Sequence, residues 1–237
     1  MADLKEERKY ERLRKLAQEL HIPLPEAFLT LEVFDKDGKL IQKHHQRSHS
    51  WVRNAYNCLF SDLAGVVCND DAFGAGKLNV KKTDESIIKA PYQFATGGAY
   101  NVDGTVNGYR APAGDDEKGI LVGGGATAES FEDYNLDSQI AEGAGAGQLS
   151  HAASEAHNVT YTAGPKVLQN ELVRYFNNNS GGGIDVNEVA LVTEGICDAF
   201  HIDVFVLVSR DVLGSTVNVP DTGQLKVTYT IQLTYPS

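Results

Sequence analysis

Residues 223–236 read GQLKVTYTIQLTYP, in which Leu225, Val227, Tyr229, Ile231, Leu233 and Tyr235 alternate with Lys226, Thr228, Thr230, Gln232 and Thr234. A period of two puts six apolar groups on one face of an extended chain and five polar groups on the other, the pattern of a strand packed on one side only. The C-terminal segment is therefore expected to help close a sandwich or barrel.

Six further runs carry strand signals: GILVGGG from Gly119, QLSHAAS from Gln148, NVTYTA from Asn158, KVLQNELVRYF from Lys166, IDVNEVALVTE from Ile184 and IDVFVLVSRDV from Ile202. Turn-forming connections separate them, GAGAG at 143–147, NNNSGGG at 177–183 and PDTG at 220–223. With 23 glycines and only 8% aromatic residues, the composition agrees with many short connections. Seven such runs predict an antiparallel β-sandwich. The uninterrupted apolar stretch from Val204 to Val208 predicts a strand covered on both faces. In IDVNEVAL the apolar parity switches between Val186 and Val189, which predicts a bulge at Asn187 and Glu188. The run from Val167 to Phe176 also fits a helix through Leu168, Leu172 and Phe176.

Ahead of the sandwich, residues 4–20 place Leu13, Leu16, Ala17 and Leu20 at helical spacing, with Asp3 positioned as a cap and His21-Ile22-Pro23 as a stop. A helix with so thin an apolar stripe and so many charges seldom stands alone, so it is expected either to lie against the body or a neighbouring chain, or to be a mostly solvated arm. Residues 28–34 and 39–42 flank the turn Asp35-Lys36-Asp37-Gly38, a hairpin signal. Ser50 can cap a following helix in which Val52, Ala55, Tyr56, Leu59, Phe60 and Leu63 form a broad apolar face, expected to be buried against the sheet. Residues 66–118 have mixed periodicity and read as a loop-rich, acidic insertion, and the wider stretch 98–143 is expected to be solvent-facing. The expected fold is mainly β: an antiparallel β-sandwich, residues 23–237, with an N-terminal helical arm, residues 1–22, and one packed helix after a hairpin.

The formal net charge is −11. Residues 1–21 hold six Lys/Arg against five Asp/Glu, so the acidity lies in the body, which argues against a phosphate-binding, nucleic-acid surface. Cys58, Cys68 and Cys197 have neither CxxC nor paired spacing, which speaks against a disulfide framework or a zinc site, and no metal ligand is expected in the chain. No signal-peptide core and no long apolar run stands in the sequence, so the chain is expected to be made in a cytosol and to be soluble, with no membrane partner.

Chemical motifs are sparse. His44, His45 and His49 sit close together, but adjacent strand residues point to opposite faces and no nearby carboxylate completes a set, so no metal is expected there. Asp35-Lys36-Asp37-Gly38 lacks the glycine and glutamate positions of an EF-hand. The runs Gly123-Gly124-Gly125 and Gly143-Ala144-Gly145-Ala146-Gly147 lack the Lys-Ser/Thr ending of a phosphate loop. GxSxG and HExxH are absent, and the chain is expected to be no enzyme and to use no cofactor. Arg210, Asp211 and Glu188 are expected to form a structural charge network. A loop at 92–117 holds Tyr92, Phe94, Tyr100 and Tyr109, and aromatic faces beside acids and amides suit sugars, so Tyr100 and Tyr109 are candidate ligand-loop residues.

Beyond these local signals, a resemblance bears on role. GILVGGG followed by YNLDSQI, then GAGAGQLSH, LVRYFNNNSGGGIDVNEVALV, LVSRDVL and VPDTGQLKVTYTIQL, resembles a recurrent group of tailed-bacteriophage virion structural proteins. LEVFDKDGKLIQKHHQRSHSWVRNAYNCLF is similar to their N-terminal part. The resemblance implies a structural virion component of head, neck or tail, located in the particle. It would assemble by contacts with other virion proteins and with copies of itself, and Leu13, Leu16, Ala17 and Leu20 would be the assembly arm. The alternative function is a receptor- or glycan-binding module of the particle, with a host-surface glycan as partner.

Overall fold

The computed structural model describes residues 2–64, 78–89, 108–196 and 203–236. Helix α1 spans Ala2–Glu19, followed by strands β1 (Leu24–Phe34) and β2 (Leu40–Ser48) and helix α2 (Arg53–Ala64). The remaining strands are β3 (Asn79–Lys81), β4 (Ile87–Lys89), β5 (Gly119–Gly123), β6 (Ser150–His151), β7 (Asn158–Thr162), β8 (Val167–Asn177), β9 (Ile184–Ile196), β10 (Asp203–Val219) and β11 (Gln224–Thr234). The fold is mainly β, and every strand pairing is antiparallel.

One sheet has the order β2-β1-β11-β8-β6, with β7 also paired to β8; the second has the order β10-β9-β5; β3 and β4 form a separate pair. The closing strand therefore lies in the middle of its sheet, hydrogen-bonded to β1 along Leu24–Phe34 and to β8 along Val167–Asn177. Its central position explains the regularity of its sequence, because a misregister by one residue would turn both neighbours inside out. Leu225, Val227 and Tyr229 are buried, whereas the strand becomes progressively exposed from Ile231 to Tyr235.

The two larger sheets face each other across one core. Ala27, Leu29, Leu31 and Val33 of β1, Leu172 and Phe176 of β8, and the three buried residues of β11 meet Ile120 and Val122 of β5 and Val189 and Leu191 of β9. Each fully buried aliphatic side chain of this kind contributes roughly 1.5–3 kcal/mol. The run at 167–177 is a strand, not a helix: its alternate residues Leu172, Arg174 and Phe176 all face inward, and the pairing with β11 uses every position.

The parity switch in β9 is real. Ile184 and Val186 face the core, then Val189 and Leu191 do, and the register against β10 jumps between Val186 opposite Val217 and Glu188 opposite Val212. The extra residues sit on β10, so the irregularity bends the long hairpin while keeping apolar groups inside on both sides. It also turns Glu188, Ala190 and Val192 outward, where Ala190 and Val192 join Val52, Leu121, Leu136 and Leu207 in a second apolar cluster. Thus the β9/β10 sheet is covered on both faces, as the Val204–Val208 run requires.

Arg174 is fully buried on the inner face. Its guanidinium donates to the carbonyls of Ala152 (3.0 Å), Lys118 (3.0 Å), Ile120 (3.0 Å), Pro112 (3.4 Å) and Asp115. Burial lowers its pKa to about 10. Carbonyl dipoles take the place of a carboxylate, and five otherwise loose backbone groups are fixed to β8 by one side chain.

Two expectations need correction here. Val52 and Ala55 pack against the cores as expected, but the rest of the expected apolar face of α2 is turned outward: Tyr56, Leu59, Phe60 and Leu63 are exposed, at 51–75%, while Asn54, Asn57, Cys58 and Ser61 are buried. The reason is strand β3. Lys81 donates its backbone N–H to Asn54 Oδ1 (3.0 Å) and accepts from Asn54 Nδ2 (2.9 Å), and Asn79 accepts from Asn57 Nδ2 (2.6 Å). The asparagine amides supply the hydrogen bonds that a neighbouring strand would give, and that requirement turns the polar face inward.

The stretch 98–143 is also not simply solvent-facing over its described part. Glu188 accepts from the backbone amides of Gly125, Asp137 and Ser138 and pairs with Arg210 (2.7 Å), which also reaches Asp133 (2.9 Å) and the Thr127 carbonyl (2.9 Å). These bonds fold residues 124–139 down over the outer face of β9 and β10. Gly125 belongs to this close approach, since a Cβ there would lie 2.5 Å from Glu188 Oε1. The expected Arg210–Glu188 network is present, and Asp211 points to the opposite face.

Candidate functional site

Three surface regions and one buried polar cluster could carry function. The first is the arm. Helix α1 begins at Ala2, so Asp3 lies within its first turn and does not precede it. It ends with His21 at a φ of 54° and the Ile22 amide bonded to the Ala17 carbonyl (2.9 Å), a left-handed stop. Of the four candidate assembly residues, Ala17 is buried against the body while Leu13, Leu16 and Leu20 are exposed at 43–57%.

What holds the arm is charge. Glu26, on β1 with only 1% of its side chain exposed, accepts from Arg14 of the arm (3.0 Å to each oxygen) and from Arg47 of β2 (2.6 Å). Arg47 also reaches Glu7 (2.8 Å) and lies over the ring of Tyr10, 3.8 Å from its centre. Burial pushes the Glu26 carboxyl upward, but the two guanidiniums outweigh it and hold the group below the usual carboxylate range. The arm is thus clamped to its own sheet by Tyr10, Arg14 and Ala17, and Leu13, Leu16 and Leu20 point away.

The second region is the outward face of α2, where Tyr56 packs at 5.8 Å from Phe131, itself 48% exposed. Together Tyr56, Leu59, Phe60, Leu63 and Phe131 make an apolar patch.

The third is the expected ligand loop. Tyr100 lies outside the described residues. Tyr109 is partly buried and packs against the main core, so its ring is not displayed to solvent as a sugar platform would be. An open cleft of about 510 Å³ lies at the opposite end of the sheet, lined by Phe34, Asp35, Tyr175, Asn179, Thr222 and Lys226 among others.

The buried polar cluster lies between the sheets at the end of β2. Ser48 and Ser209 both donate to Asp211 Oδ2 (2.8 Å each), and the Tyr229 hydroxyl contacts Ser48 (2.6 Å) and Ser209 (3.0 Å). Burial pushes the Asp211 carboxyl up, against those hydrogen bonds, and burial likewise pushes the Tyr229 phenol up. At its rim, His49 donates its backbone N–H to Asp211 Oδ1 (3.1 Å), and its Nδ1 lies 3.8 Å from Glu129 Oε2. His44 and His45 go elsewhere: His44 bonds Gln46 (2.8 Å), and His45 bonds Thr30 (2.9 Å) and stacks on Phe28. The carboxylates near His49 were invisible to local reading because Asp211 is 162 residues away in the chain. Only the packing of residues 48–52 against β10, through the Arg210 N–H to Ser50 carbonyl (3.2 Å) and Val52 N–H to Val208 carbonyl (3.1 Å) bonds, brings them together.

Among the described residues no helix is long and apolar enough to cross a membrane. The chain matches no protein-family model, no curated protein and no solved structure.

Proposed function

We propose that the chain is a structural component of a tailed-bacteriophage particle that assembles through contacts with copies of itself and with other virion proteins. The observation that carries this reading is the reversal of α2, which buries its asparagines and turns Tyr56, Leu59, Phe60 and Leu63 outward. Contiguous apolar surface of this kind marks a protein contact. A chain of formal charge −11 repels its own copies, and the repulsion is least troublesome where a patch carries few charges. The outward side chains of Leu13 and Leu16 on α1, and of Leu20 just after it, supply a second, smaller surface for a neighbour. The sequence resemblance to virion proteins gives the particle context. The glycan-binding alternative rests on Tyr100 and Tyr109, and the packing of Tyr109 against the core does not favour it.

The experiment is light scattering of the purified full chain across micromolar concentrations, beside the double variant Phe60→Glu, Leu63→Glu. The reading expects a concentration-dependent oligomer that the variant reduces to monomer, with circular dichroism unchanged. A wild-type chain that stays monomeric throughout would contradict self-assembly through α2.

A further inference from the structure

We propose that His49, Glu129 and Asp211 form a binding site for a zinc-class divalent cation. The three residues come from separate parts of the fold: the residue after β2, the 124–139 connection and the middle of β10. One donor atom from each lies within 4.8 Å of the other two. Zinc binds imidazole nitrogen and carboxylate oxygen at about 2.0–2.2 Å, and a tetrahedral ion held by three protein ligands keeps a fourth position for water. An imidazole beside two carboxylates selects this class over calcium or magnesium, which prefer oxygen alone.

Both carboxylates are already oriented through the oxygen that would not bind. Asp211 Oδ2 accepts from Ser48 and Ser209 (2.8 Å each), leaving Oδ1 with a single bond from the His49 amide. Glu129 Oε1 accepts the Val212 amide (2.7 Å), leaving Oε2 turned toward the imidazole. Outer hydrogen bonds of this kind fix ligand geometry in metal sites. Asp211 is the immobile member, fully buried, whereas His49 is half-exposed and Glu129 partly exposed, so the latter two can close onto an ion. The ion would displace the Ser50 hydroxyl now 3.1 Å from His49 Nδ1.

Electrostatics points the same way. Among the described residues neither Asp211 nor Glu129 has a lysine or arginine ion pair, and Arg210, the adjacent cation, is committed to Glu188 and Asp133 on the other face. A dication would offset the two carboxylate charges and would tie the end of β2, β10 and the 124–139 connection together.

The test is calorimetric titration of the chelator-stripped full chain with Zn²⁺ alone, followed by cobalt substitution read by visible absorption. One ion per chain is expected, with a tetrahedral or five-coordinate cobalt spectrum. His49→Ala and Glu129→Ala, both at accessible positions, should each weaken binding by about tenfold or more with the fold intact, whereas His157→Ala should leave it unchanged. No stoichiometric binding, or binding that survives both His49→Ala and Glu129→Ala, would overturn the site. Calcium binding as tight as zinc would overturn the part given to the imidazole.

Discussion

Arg174 shows how a single buried residue can organise one side of a sandwich. Five carbonyls from residues 112–152 converge on its guanidinium, and the charge is buried without a carboxylate partner. Arg174→Met keeps most of the apolar stem but leaves those carbonyls unpaired in the interior. The expected loss is about 3 kcal/mol or more, measured by urea denaturation at neutral pH, with the slope of the transition unchanged. A loss comparable with that of an ordinary surface change would mean that water serves the carbonyls equally well. The inward position of Arg174 was readable from its parity with Leu172 and Phe176. Its partners were not, since carbonyl groups leave no trace in a sequence. His49 teaches the same lesson: its own stretch of sequence holds no carboxylate, and the two that approach it come from β10 and the 124–139 connection.

At the scale of elements, the strands and both helices were legible, whereas the face that α2 buries was not. Period-two alternation in 225–235 and the parity switch at Asn187 and Glu188 both map onto observed faces, because a strand's neighbours are set by its pleat. Helix α2 misled because it has two usable faces, 54/57/58/61 and 56/59/60/63, each at helical spacing. Apolar content alone selects the second, but the unpaired backbone of β3 demanded the first. Helix α1 was legible as an arm, whereas the clamp that holds it required knowing that Glu26 and Arg47 are adjacent across β1 and β2. Since the folded-state pKa of Glu26 is depressed, its contribution is present above the ordinary carboxylate value of 4.5 and is lost as pH falls below that value. Hydrogen exchange should therefore show residues 6–20 losing protection on acidification before β1 and β11 do. Glu26→Gln should produce the same release at neutral pH. An arm that stays protected in Glu26→Gln would mean that Tyr10 and Ala17, not charge, hold it.

For the whole molecule, the two sheets, the clamped arm and the folded-down acidic connection leave apolar surface on the outward sides of α1 and α2, with further exposed apolar side chains on β2 and β7, among the described residues. The proposed role as a repeated part of a larger body would use this displayed apolar surface. The measurement that bears most directly on this account is quantitative mass spectrometry of purified phage particles from the source of the chain, counting it against the major shell protein. The account predicts a fixed, symmetry-related number of copies in every particle, retained through stringent purification. A chain that is abundant in the infected cell yet absent from the particle would contradict it.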